Sequence, residues 1–139
     1  SARDEGVIRS FLAPLDRRIA MVAVADIGRI AAALIRERWT GVRIVELEGP
    51  ERVSPDDLAA AFATALGRPV RAEAIPRDAW EALFRAQGAR NPLPRMRMIA
   101  GFNEGWIDFA QDSPRLLKGR VSLNEAIATL VAADGQRTN

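Results

Sequence analysis

Few side chains in this sequence can do chemistry. Asp and Glu total 18, lysine occurs once, at Lys118, and histidine, cysteine and tyrosine are absent. Without His or Cys, no Ser-His-Asp or Cys-His nucleophile can be assembled, and a metal would have to be held by carboxylates and carbonyls alone. A Tyr-x-x-x-Lys base pair is excluded in the same way. The acid/base groups that remain are the carboxylates and Lys118, so no catalytic residue is assigned.

The individual carboxylates have structural explanations. Asp26 follows an apolar run and precedes an amphipathic pattern, the place of a helix N-cap. Asp56 and Asp57 are adjacent, so they do not face each other on a helix, and they suit the positive end of a helix dipole. Lys118 is the one lysine in an Arg- and Ala-rich chain, which composition alone explains. The aromatic group Trp80, Phe84, Phe102, Trp106 and Phe109, together with Met96 and Met98, has two readings. The commoner one is core between packed helices. The other is the wall of an apolar pocket for a small ligand, with Asn103, Glu104 and Asp108 as its polar members.

Composition narrows the class further. The net charge is +2, and all but one of the 20 basic residues are Arg. The sequence pI of 10.3 reflects the lack of groups titrating near neutrality rather than a basic surface. The Arg residues are scattered among acidic ones, for example Arg17-Arg18 and Arg36 with Arg38, so no nucleic-acid-binding strip is expected. No run reaches the roughly 18–20 apolar residues of a membrane span, and the N-terminal residues are charged. The expectation is a cytoplasmic protein without a membrane partner, and without cysteine there is no disulfide framework. Its 139 residues, 48% hydrophobic, suit a single domain over 1–139.

The elements that must position these side chains can be read from period and punctuation. Val7–Leu12 and Ile19–Val24 read as extended segments around a turn at Pro14. Ile27, Ile30, Ala31, Leu34 and Ile35 recur as one helical face. Val42–Leu47 reads as a strand closed by Glu48-Gly49-Pro50. Ser54, Pro55 and Asp56-Asp57 announce a helix whose face is Leu58, Ala61, Phe62, Ala65 and Leu66 and whose stop is Gly67. Val70–Ile75 alternates as a half-buried strand. A helix after Pro76 places Trp80, Leu83 and Phe84 inward and ends at Gly88. Met96–Phe109 reads as one helix interrupted by Gly101 and Gly105. Ser122 and Glu125 form a capping box for a last helix with Leu123, Ala126, Ile127, Leu130 and Val131 on one face, and residues 134–139 read as a frayed polar tail. The sum is a mixed α/β chain of about four short strands and five helices, with strands separated by helices and so paired in parallel.

The ordered set Met21-Val22-Ala23-Val24-Ala25-Asp26-Ile27-Gly28, Glu46-Leu47-Glu48-Gly49-Pro50, Ser54-Pro55-Asp56-Asp57-Leu58 and Leu66-Gly67-Arg68-Pro69-Val70 resembles the second half of NmrA-like proteins, atypical members of the short-chain dehydrogenase/reductases. The resemblance covers roughly residues 6 to 131. It implies the C-terminal, substrate-side part of a Rossmann-type protein whose nucleotide-binding half lies upstream or in a partner chain. NAD(P) is implied for the full-length parent but not for this chain: Gly101-Phe102-Asn103-Glu104-Gly105 lacks the spacing and the preceding strand of a dinucleotide fingerprint. It also implies a small apolar substrate held by walls from this region, with Trp80, Phe84, Met98, Phe102, Trp106 and Phe109 as pocket candidates. Two other outcomes fit the same residues: a non-catalytic redox-sensing module, or an inactive fragment that forms a homodimer through the open edge of Val42–Leu47.

Overall fold

The computed structural model describes residues 2–110 and 113–136. The described chain is mixed α/β, with four short strands and five helices. Both sheets are two-stranded and parallel. The chain divides into two compact units, each built from two separate stretches: residues 1–19 with 54–108, and 20–53 with 109–139.

Unit 1 is organised around β1 (Val7–Ser10) and β3 (Arg71–Ala74), paired in register Val7 with Arg71 through Ser10 with Ala74. Helix α2 (Pro55–Leu66) packs against both strands. Ser54 caps it and Pro55 follows, as the sequence predicts, with Ser54 Oγ accepting the Asp57 N–H; the Asp57 carboxylate also accepts the Ser54 N–H, so the expected dipole-matching residue completes a capping box. Gly67 ends it in the left-handed conformation, φ 64°. Of its expected face, Ala61 is buried along with Ala59, while Leu58, Phe62, Ala65 and Leu66 are half-buried. After β3, a short 3-10 turn (Arg77–Ala79) leads into α3 (Trp80–Ala86), and α4 (Leu93–Glu104) packs on α3. Trp80, Phe84 and Ile99 form the buried core here, with Phe11, Leu12, Ile75, Ala89 and Met96 around them. Leu83, expected inward, is 38% exposed, because the face that α3 buries is defined by Trp80 and Phe84 at i and i+4. The stretch expected as one helix over Met96–Phe109 starts earlier, at Leu93, and stops at Glu104. Gly105 closes it in the left-handed region, so only the second of the two glycines breaks the helix.

Unit 2 contains β2 (Glu46–Glu48) and β4 (Leu116–Lys118), paired Glu46 with Leu116 through Glu48 with Lys118, together with α1 (Val24–Arg36) and α5 (Leu123–Gln136). The expected strand Ile19–Val24 is not one: residues 20–23 are irregular, and the carbonyl of Met21 is engaged by the Gly49 N–H at 2.6 Å. The strand expected over Val42–Leu47 is confined to 46–48, and β4 takes the place of the missing strand in the count. A three-residue strand shows no alternation, which is why the sequence does not announce it. Asp26 is not an N-cap. Helix α1 begins two residues earlier, after Ala23, which offers no side-chain cap, and Asp26 sits in the first turn. Helix α5 carries the predicted capping box: Ser122 N donates to Glu125 Oε2 at 2.8 Å and Glu125 N to Ser122 Oγ at 3.3 Å. It continues through Gln136, so residues 134–136 are helical, and the remainder of the predicted frayed tail lies outside the described residues. Among the described residues no helix is long and apolar enough to cross a membrane.

Candidate functional site

In an α/β sheet, ligands bind outside the carboxyl ends of parallel strands, where the loops diverge. Each unit has a groove at that place. In unit 1 it measures about 470 Å³ and lies where β1 and β3 end, with an apolar floor of Phe11, Ala74, Ile75, Pro76 and Leu83. Arg9, Glu73 and Gln87 supply its polar wall. The volume falls within the roughly 300–1,000 Å³ of small-molecule sites. In unit 2 the groove is smaller, about 140 Å³, with lining residues that include Met21, Val22, Pro50, Val53, Val121 and Leu123. It is almost wholly apolar and has room for only a few water-sized atoms.

The unit 1 groove is held open by its backing. Phe11 stacks on Phe84 with centroids 4.6 Å apart and meets Trp80 edge-on at 5.7 Å. The indole of Trp80 donates to the Ile75 carbonyl at 2.9 Å, and the Arg95 guanidinium lies 4.5 Å from the Phe84 centroid. The loop after β1 is fixed from α4: Asn103 Nδ2 donates to the Phe11 carbonyl at 2.9 Å and its Oδ1 accepts the Ala13 N–H at 3.0 Å. Phe11 is therefore placed by ring packing and by a side-chain amide at once.

The residues singled out from sequence are distributed as follows. Trp80 and Phe84 come together, 2% and 0% exposed, as the core behind the groove and not on its wall. Phe102 is half-buried on α4, and Met98 on the same helix is 49% exposed. Trp106 is 64% exposed, its Nε1 donating to Glu104, and its ring lies over Gly101. Phe109 belongs to unit 2. Of the residues that do line the groove, Phe11 and Ile75 lie at the ends of two β-prone runs, Pro76 follows the second, and Leu83 is expected only as part of the buried face of its helix. Asn103, noted only as a polar neighbour of the rings, holds the loop that bears Phe11.

Unit 2 concentrates the buried charge. The Asp26 carboxylate is 1% exposed, accepts Arg120 N–H at 2.7 Å and Val121 N–H at 2.8 Å through Oδ2, and pairs with Arg29 through Oδ1 at 2.7 Å. The Val121 N–H and the Arg29 guanidinium hold its pKa below the ordinary 3.8. Gly119 passes so close that a Cβ there would stand 2.5 Å from Asp26 Oδ2. Glu48, also 1% exposed, binds its register partner Lys118 and meets Arg52 Nη2 at 3.5 Å. The single lysine is thus the counter-ion of a buried carboxylate. Among the described residues no group of three or more His, Cys, Asp or Glu could hold a metal ion.

The turns after β1 and β3 carry Phe11-Leu12-Ala13-Pro14 and Ile75-Pro76, and the Leu12 and Ala13 N–H groups go to Ser10 Oγ and Asn103 Oδ1. The Gly49 N–H after β2 is already given to Met21. Gly101 lies inside α4 against Ile107 and Trp106.

Neither a protein-family model nor a curated protein matches this chain.

Proposed function

We propose that this chain is the substrate-side portion of an NmrA-like NAD(P)-dependent oxidoreductase, holding a small apolar substrate and performing no chemical step by itself. The observation that carries this reading is the 470 Å³ groove with an apolar floor at the carboxyl ends of β1 and β3. In this reading the dinucleotide belongs to another half of the same protein or to a partner chain.

The surface of unit 2 supports the need for such a half. Parallel strands normally have both faces covered, yet Ile27 and Ile35 of α1 are 45% and 79% exposed, and Val42 and Ile44, just before β2, are 93% and 58% exposed. Glu46 Oε2 is buried with no hydrogen-bond partner, an unsatisfied atom that an added strand or loop would complete. The same apolar face favours a second reading, a non-catalytic redox-sensing module that docks on a protein, and self-association through it would make a homodimer.

Calorimetric titration tests the proposal. A small apolar carbonyl compound should bind saturably and shift the amide resonances of Phe11, Ile75 and Leu83, while NADH and NADPH give no saturable heat. Saturable dinucleotide binding by this chain would overturn it. Light scattering separates the readings of the exposed face: a monomer at every concentration counts against the homodimer.

A further inference from the structure

Two charged side chains stand on the wall of the unit 1 groove, and they are committed differently. The Glu73 carboxylate is engaged by Arg71, whose Nε and Nη2 both donate to its Oε1, at 3.1 and 2.7 Å. Arg9, the register partner of Glu73 on β1, meets Glu5 through one nitrogen at 3.3 Å, between side chains that are 61% and 50% exposed. An exposed ion pair of this kind contributes little, so a ligand anion can replace Glu5 at small cost. A guanidinium can donate two parallel N–H groups to one carboxylate, and the apolar floor beside Arg9 can receive the body of the same ligand. Gln87, on the same wall, adds an amide.

We propose that the groove selects a small monocarboxylate with a flat or branched apolar body. The body lies on Phe11, Ile75, Pro76 and Leu83, and the carboxylate sits on the guanidinium of Arg9. A dianion such as phosphate is disfavoured, because Glu73 and Glu5 lie close to the one cation that would receive it. The proposal rests on the groove being the ligand site, and it adds the charge of the ligand.

The test is a titration of the full chain, at pH 7 and low ionic strength, with phenylacetate and with its neutral counterpart phenylacetamide, followed by amide resonances. Phenylacetate should bind about threefold more tightly, in line with one bidentate but partly exposed pair. Arg9→Gln should erase that preference by weakening phenylacetate far more than phenylacetamide, and Leu83→Ala should weaken both ligands alike. Equal affinities for acid and amide, or an undiminished preference in the Arg9→Gln variant, would overturn the carboxylate proposal and leave the groove standing. If neither compound perturbs Phe11, Ile75 or Leu83, the groove itself is lost as a ligand site.

Discussion

The carboxylate of Asp26 accepts the backbone N–H of Val121 at 2.8 Å, joining the first turn of α1 to the residue before the cap of α5 across 95 positions of sequence. The same oxygen takes the Arg120 N–H, so one side chain satisfies two backbone donors that no strand or helix serves. Asp26→Asn keeps the size but removes the charge and puts an amide where Arg29 expects an acceptor. Its thermal midpoint should fall below that of the parent, and an unchanged midpoint would show that the contact contributes nothing.

The same contact sets part of the acid limit. Asp26, Asp57 and Glu125 all have pKa values below their ordinary 3.8, 3.8 and 4.5, caused chiefly by the Val121 N–H, the Arg18 side chain and the Ser122 N–H respectively. A carboxylate with a depressed folded-state pKa stabilises fully above its unfolded value and loses that contribution as pH falls through the folded one. Stability should therefore be flat with respect to these groups above the ordinary carboxylate range and decline below it. In Asp26→Asn the decline should be shallower, as read by denaturant midpoints at stepped pH.

Gly119→Ala should destabilise although no strained dihedral is involved. The added methyl would stand 2.5 Å from Asp26 Oδ2, an atom already fixed by two N–H groups, so it cannot move aside without losing them. Overpacking of this sort costs about 1–3 kcal/mol, and equilibrium unfolding measures it. Combined with Asp26→Ala, the penalty should shrink, since the obstructing carboxylate is gone.

Asn103→Ala should cost about 1–3 kcal/mol, because it strands the partly buried Ala13 N–H and the Phe11 carbonyl. It should also weaken ligand binding in the unit 1 groove through the displaced Phe11 ring. A variant with lower stability and unaltered affinity would separate the loop's stability role from its positioning role.

Among the aromatics the costs should divide by burial. Phe84→Ala removes a ring with no exposed surface, stacked on Phe11, and should cost about 3–5 kcal/mol. Trp106→Ala, at a ring 64% exposed, should cost about 1 kcal/mol or less. Urea unfolding of the two variants compares them directly.

Local chemistry was legible in the sequence wherever neighbouring residues settle it. The Ser54 cap, the Ser122 capping box and the Gly67 stop are decided within three or four residues, and the sequence placed them correctly, though Asp57 reads there only as a match to the helix dipole and not as the second half of a box. The mixed α/β class and the parallel pairing followed from the order of the segments. Tertiary structure alone decided the rest, because those choices depend on partners remote in sequence. Asp26 left the cap position because Arg120 and Val121 offered N–H groups to it. Leu116–Lys118 became a strand only because Glu46–Glu48 lay beside it in register. Trp80 and Phe84 became core once Phe11 stacked on Phe84 and met Trp80 edge-on, which moved the candidate site to Phe11, Ile75, Pro76 and Leu83, residues whose shared groove exists only when the carboxyl ends of β1 and β3 are brought together.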